Sequence, residues 1–421
     1  MSGGGGSGGI GSNRKKLGHA EMAQVIKAHQ NYRNGVMGGR RAMLGFHDLS
    51  GLIFSGANLS DADFTGAVLY GAKLIECNLD RAVFFGADLR EADLTGATMV
   101  RADLRGASLH GANLTKANLF DADLRDGMIA ERDKHGNIHA MQHMDVGPTE
   151  MPGAKMAGAN LSGAKMAGIV ASHTDFTDAI MVGTNLVRAN LSNANLTGAN
   201  LTGADLSGAS LKGASLTNAV IAGAKMQMAD MSGAKTDGML GDKPAGKPLE
   251  DLGMTPEEAL RQHSLWVTSG GKEGVLTDFS GYDLRKMGSL YKALLVGLVA
   301  NKTVFFGLNM EGVLMQGAKL AEADMRSVKL ANADLRGSTL KGAKLAHADL
   351  RDANLAALVV GPDRYFSVNL EGASLRRADL RGAKFNRANL RGADFTEAEL
   401  SGADFSDADL EGAIGYRPPP A

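Results

Sequence analysis

Apolar residues recur along this chain at every fifth position. From Leu49 the series runs unbroken through Phe54, Leu59, Phe64, Leu69, Leu74, Leu79, Phe84, Leu89, Leu94, Met99, Leu104, Leu109, Leu114 and Leu119 to Leu124, with Ala usually two residues before each and Gly often two after. Five matches neither the 3.6-residue period of an amphipathic helix nor the two-residue alternation of a strand. Four five-residue units can instead close a square coil of about twenty residues, each unit making one side and turning its apolar residue inward. Stacked coils bury a continuous apolar ladder, so the pattern predicts a β solenoid.

The phase of the series divides the chain. Leu124 and Met151 are not a whole number of units apart, so residues 125–150 read as an excursion from the coil. A second phase runs from Met156 to Met231 with one failure at Ala171. A third includes Phe305, Met310, Met315, Leu320 and Met325 and continues to Leu410, with Val360 and Tyr365 as variant ladder residues. Between the last two, the Gly-, Pro- and charge-rich run around 241–254 reads as a linker.

Two helical segments stand ahead of the coils. In Glu21 to Asn34, Met22, Val25, Ile26, His29 and Tyr32 share one face. In Pro256 to Val267, Ala259, Leu260, His263, Trp266 and Val267 do the same, and Thr255 with Glu258 reads as a capping box. Each pairs a His with an aromatic three residues later and leads through Gly to an Asp-Leu step, Asp48-Leu49 and Asp283-Leu284. We read them as one end plug used twice, since an uncapped first coil would expose apolar side chains and strand edges. The expected organisation is a Gly-rich tail at 1–16, a plug and first solenoid at 17–240, a linker at 241–254, a plug and second solenoid at 255–416, and a Pro-rich tail at 417–421.

The units Ala87-Asp88-Leu89-Arg90-Glu91, Ala112-Asn113-Leu114-Thr115-Lys116 and Ala199-Asn200-Leu201-Thr202-Gly203 closely resemble the A(D/N)LXX pattern of the pentapeptide-repeat family. The resemblance implies a right-handed quadrilateral parallel β-helix, here as two tandem stacks. It says less about function: the family includes DNA-mimicking proteins that bind topoisomerases, and fold does not dictate function.

Charge narrows the functional classes. Lys and Arg total 45 against 46 Asp and Glu, a formal net charge of −1. Residues 49–125 hold ten acidic and seven basic side chains, and residues 301–400 hold twelve and fifteen. A mimic of duplex DNA needs a strongly negative face, because the duplex carries one charge per ~1.7 Å of axis. The positive lean around Arg376, Arg377, Arg381, Arg387 and Arg391 raises nucleic-acid binding instead, but interspersed Asp379 and Asp394 suit a solvated ladder of ion pairs.

No catalytic constellation, cofactor motif or metal site is expected. The Asp residues before each inward Leu suit turn hydrogen bonding. His135, His139 and His143, spaced by four, could share a helical face and bind a metal, yet Lys134-His135-Gly136-Asn137 reads as a turn in a polar surface loop. Cys77, the one cysteine, sits at a small inward position. The longest apolar stretch, near Leu290 to Leu308, is interrupted by Lys292, Asn301 and Lys302 and makes a poor membrane span. A cytoplasmic location is expected.

Apolar residues at outward positions are therefore the partner-binding candidates: Val68, Tyr70, Ile75, Val83 and Phe85, read as one patch covered by the plug, by the excursion or by a partner. At the end of the chain, Leu400, Phe405 and Leu410 would close a bare last coil and are candidates for a weak end-to-end homodimer, unless Ile414, Tyr416 and the prolines fold back. The function expected is a non-enzymatic scaffold for another macromolecule, a protein for preference, with modulation of a type II topoisomerase by DNA mimicry, or nucleic-acid binding, as alternatives.

Overall fold

The computed structural model describes residues 14–126, 130–132, 138–140, 147–362 and 364–416. The chain forms two compact units, Met1–Asp242 and Lys243–Ala421. In each, single-residue parallel bridges join positions twenty apart, as in the column Met43, Asp63, Val83, Asp103 and Asp123.

One five-residue unit shows the wiring. Phe64 points inward, fully buried, and its N–H donates forward to the Val83 carbonyl at 2.7 Å, while the N–H of Asp63 donates backward to Ala42 at 3.0 Å. Gly66 then turns the corner at φ +59, and the Ala67 N–H closes the turn onto the Phe64 carbonyl at 2.9 Å. Gly66 is constrained twice, because a Cβ there would lie 2.7 Å from the Phe46 ring as well as forcing a left-handed side-chain residue. Inward side chains stack coil on coil: the Phe64 and Phe84 rings lie parallel, 4.7 Å apart. The Ala position is usually small, although Leu52, Ile169, Leu298 and Leu308 are also buried there; a polar residue at this position can donate to an inward residue's carbonyl, within the same coil at Ser338 to Leu335 and elsewhere one coil back. Cys77 Sγ donates to Phe54 at 2.9 Å, Thr174 Oγ1 to Met151 at 2.7 Å and Thr303 Oγ1 to Phe279 at 2.6 Å.

The excursions are insertions of different kinds. Ser108 bridges Glu150, forty-two residues on instead of twenty, so twenty-two are extra. They include the antiparallel pair β1 (Ala130–Arg132) and β2 (Ile138–Ala140). In the second unit Thr339 bridges Asn369, thirty residues on. The ten extra residues carry a second antiparallel pair, β3 (Leu358–Gly361) and β4 (Arg364–Phe366). This corrects the sequence reading of Val360 and Tyr365: both are exposed hairpin residues rather than ladder residues. Ten is a multiple of five, so the insertion leaves the apolar phase intact and hides itself.

The coils also begin earlier than the third phase suggests. Asp278 bridges Val299 and Asp283 bridges Val304, with Phe279, Leu284, Leu290, Leu295 and Ala300 all buried. A short 3-10 turn at Arg285–Met287 adds one residue between Leu284 and Leu290, which disrupts the five-residue spacing.

Each unit opens with a helix: α1 (His19–Arg33) in the first and α2 (Pro256–Thr268) in the second. Met22 of α1 and Ala259 of α2 are buried, and Val25, Ile26 and Leu260 pack on the respective ladders. Thr255 caps α2 by accepting the Glu258 N–H at 3.2 Å, but the Glu258 carboxylate turns to Arg261 and Gln262, so the capping box is half formed.

A strand residue precedes each helix. Lys16 bridges Asp48, and Lys247 bridges Tyr282. The run 241–254 is therefore no free linker from Lys243 onward: Ala245 N–H donates to Asp283 at 3.0 Å, and Leu249 and Leu252 of a 3-10 turn pack on the second core. Its Pro and Gly residues exclude a long strand, yet a single bridge and two partly buried leucines suffice to bind it.

Two outcomes test this architecture. Leu104→Ala should cost about 2–5 kcal/mol in urea unfolding, as expected for a cavity in a packed ladder; a cost under about 1 kcal/mol would place Leu104 outside the core. Excision of residues 358–367 should restore a regular coil and leave a cooperative thermal transition, whereas excision of 358–366 alone should break register and destabilise the coils that follow.

Candidate functional site

The five outward candidates do not form one patch. Val68 stands in the bridge column Asp48, Val68, Asp88 and Ser108, and Val83 in the column Met43, Asp63, Val83 and Asp103. Ile75 flanks Leu74, beside a third column through Ile53, Lys73 and Asp93. Each five-residue step turns the chain onto the next face, so these residues divide among three faces.

The cover over the aromatic candidates comes from the next coil. The Arg90 guanidinium lies over the Tyr70 ring, 5.8 Å from its centroid, and Arg105 lies over Phe85 at 5.2 Å. Phe306 and Arg326 repeat the arrangement at 6.0 Å. In every case the aromatic residue and the arginine are twenty apart, stacked in one column. Tyr70 nonetheless stays 50% exposed, while Val68, Ile75, Val83 and Phe85 are half-buried.

Those arginines belong to a recurring clamp. In Asp88-Leu89-Arg90 the apolar residue points in, so Asp and Arg emerge together on the outer face. Arg90 Nε donates to Asp88 Oδ1 at 2.8 Å and Nη2 to Oδ2 at 2.7 Å. The same two-residue clamp joins Asp103 to Arg105, Asp123 to Arg125, Asp283 to Arg285, Asp324 to Arg326, Asp334 to Arg336, Asp349 to Arg351 and Asp379 to Arg381. Their effect on ionisation is direct: hydrogen bonds from Arg351 and Arg381 hold Asp349 and Asp379 below the usual carboxylate range. At Asp123, Asp283 and Asp334 burial pushes the carboxyl up, and the bonds from the clamp arginine and main chain outweigh it, so these too are lowered. The Asp-Leu-Arg triplet was visible in the sequence, but its pairing follows only once the middle residue is known to point inward.

The β3–β4 hairpin holds a further group of exposed apolar residues. Val359 faces Tyr365 across the pair, and Leu358 faces Phe366. Val359 is 69%, Tyr365 48% and Phe366 57% exposed. The hairpin leans on the coil at Gly337, where an added Cβ would approach Leu358 Cβ to 2.9 Å, and Arg387 lies over the Tyr365 ring at 5.1 Å. Among the described residues, neither strand bonds to main chain outside the hairpin, so both outer edges are open.

Leu400, Phe405 and Leu410 are partly buried against the second ladder. The Tyr416 ring packs edge-on against Phe405 at 5.1 Å and Phe395 at 6.1 Å. Ile414 bridges Asp394, and residues 418–420 lie outside the described residues.

Of the three spaced histidines, His139 lies in β2 opposite Glu131, which precludes one continuous helical face; His135 and His143 lie outside the described residues. Among the described residues no group of His, Cys, Asp and Glu is placed to hold a metal ion. Burial pushes the Cys77 thiol up to about 11, which suits a packed core group rather than a nucleophile. No helix among the described residues is long and apolar enough to cross a membrane.

No curated protein gives a significant match. Among solved structures, the chain is similar to HetL, a pentapeptide repeat protein involved in heterocyst differentiation regulation in the cyanobacterium Nostoc sp. strain PCC 7120. That alignment has 24% identity over 78% of this chain and 89% of HetL, with a TM-score of 0.21. It is also similar to QnrB1, a plasmid-mediated fluoroquinolone resistance protein, at 18% identity over 56% of this chain and 95% of that one, with a TM-score of 0.26. Rfr23, a pentapeptide repeat protein of the cyanobacterium Cyanothece 51142, aligns at 29% identity over 34% of this chain and 88% of its own, with a TM-score of 0.17. The family model for pentapeptide repeats matches eight times, at residues 48–81, 62–99, 87–126, 154–193, 172–208, 199–235, 318–355 and 368–412. Those matches cover more than half of the chain and coincide with its stacked, inward-facing ladders, and the chain therefore belongs to the pentapeptide-repeat family.

Proposed function

We propose that this protein is a non-enzymatic scaffold that binds another protein through departures from its regular coils. The observation that carries this reading is the β3–β4 hairpin, where Val359, Tyr365 and Phe366 are held on open strand edges. Small exposed apolar groups on a soluble surface are ordinary when scattered, and informative when gathered on one protruding element. Tyr70 of the first unit, stacked under Arg90 yet half exposed, is a second contact point.

Charge supports a protein partner over the alternatives. A DNA mimic needs uncompensated carboxylates in a row, and a nucleic-acid binder needs uncommitted arginines. Here eight outward Asp residues are matched one for one by the Arg two positions later. We read those faces as electrically balanced, with the right-handed quadrilateral coil, in two tandem stacks, as the rigid frame that presents the hairpin.

Affinity capture from a nuclease-treated lysate tests this. The full chain should retain proteins that are lost on excision of residues 358–367 and reduced by Tyr70→Glu. Capture of the same proteins by the excised chain, or loss of all capture on nuclease treatment, would overturn the reading.

A further inference from the structure

Both end plugs are fastened in one way. His29 of α1 and His263 of α2 are fully buried. His29 Nδ1 accepts the Ala42 N–H at 3.0 Å, and its Nε2 lies 3.0 Å from the Ser60 carbonyl. His263 Nδ1 faces the Thr277 N–H at 3.3 Å, and its Nε2 lies 3.2 Å from the Val296 carbonyl. An amide N–H can only donate and a carbonyl can only accept, so each ring must be neutral, bare at Nδ1 and protonated at Nε2. Each imidazole thus ties its helix to the turn that follows the helix and to the first coil. A second proton has one place to go, Nδ1, where it would oppose an amide hydrogen.

We propose that His29 and His263 are paired acid-released latches, whose protonation unseats α1 and α2 and bares the starting end of each ladder.

The surroundings agree with this role. Around His29, burial and the positive charges of Arg33 and Arg41 disfavour a second proton, against the Ser60 carbonyl and Asp61, which favour it; the net direction is below the ordinary value of 6.5. Asp61 is itself engaged by Arg33 and Arg81, and Tyr32 stacks on the ring at 5.9 Å. Around His263, burial lowers the affinity for a proton and the Val296 carbonyl raises it, again with a net lowering; the neighbouring ring is Trp266 at 6.1 Å. Thr277 closes this plug further by donating from Oγ1 to the Ala259 carbonyl at 3.1 Å.

The sign follows from linkage. Opening a plug returns its histidine to water, where it takes a proton near pH 6.5, so the open form binds more protons than the closed one below that pH. The latch is fully effective above pH 6.5, weakens as pH falls below it, and levels off below the closed-state value. If the closed rings stay neutral, opening at pH 5.0 is favoured about thirtyfold over pH 7.5 for each plug.

Hydrogen exchange of the full chain at pH 7.5 and pH 5.0, corrected for intrinsic rates, is the test. Peptides covering 19–33 and 256–268 should lose protection by about tenfold to thirtyfold at pH 5.0, while those covering 84–104 keep theirs. In the double variant His29→Gln, His263→Gln, an amide supplies an acceptor and a donor without titrating, and helix protection should be insensitive to pH. Unchanged protection in the natural chain, or a loss that persists in the double variant, would overturn the proposal. If the glutamine plugs are already open at pH 7.5, nitrogen-15 titration of the natural histidines decides. Protonation coincident with loss of helix protection supports the latch, and protonation with the helices still protected overturns it.

Discussion

Everything in this molecule depends on one bond repeated along the axis: the N–H of an inward residue donating to a carbonyl of the next coil, nineteen positions later where the coils are regular, as from Phe64 to Val83 and from Leu104 to Asp123. That bond fixes the stacking of coils and thereby the stacking of Leu and Phe beneath it. It also makes each coil a template for the next, so stability accumulates by nearest neighbours. The vulnerable places are those where a coil has no predecessor. Both units answer that in the same way, with one bridged strand residue, a helix and a buried histidine, at Lys16, α1 and His29 and again at Lys247, α2 and His263.

How much was legible in the sequence follows from arithmetic on that repeat. The solenoid and its inward residues could be read because Leu49 to Leu124 keep one phase without a break, and sterics leave few other uses for a five-residue period. The first excursion was visible because twenty-two extra residues shift the phase, while ten at Leu358 to Ser367 shift nothing and passed as two more units. The opposite error occurred at Phe279 to Ala300. There one added residue near Arg285–Met287 spoiled the spacing, although the backbone absorbs it in a single tight turn and keeps stacking.

Outward residues were harder to read, for a geometric reason. A five-residue step moves the chain a quarter of the way around the coil, so neighbours in space are twenty apart in sequence. Val68, Ile75 and Val83 are close in sequence and separated by faces, whereas Tyr70 and Arg90 are distant in sequence and in contact. The Asp and Arg of each Asp-Leu-Arg triplet form the exception, since they flank one inward side chain and meet on the same face.

This geometry bears on how such a scaffold can acquire a partner. A regular face is spent on its own bonds: Asp accepts from the main chain two residues on or from the clamp arginine, and arginine covers the aromatic ring one coil back. The exposed pairs individually contribute about 0–1 kcal/mol, while Asp283, Asp324 and Arg326 are buried; their shared effect is to neutralise the face and hold its side chains in place. On the proposed scaffold reading, specific recognition falls to positions where the repeat is interrupted. A ten-residue insertion leaves the apolar phase intact, and the downstream ladder resumes as Thr339 bridges Asn369. The hairpin at Leu358 to Phe366 adds exposed apolar surface and two open strand edges while Leu355 and Leu370 on either side remain fully buried in the core.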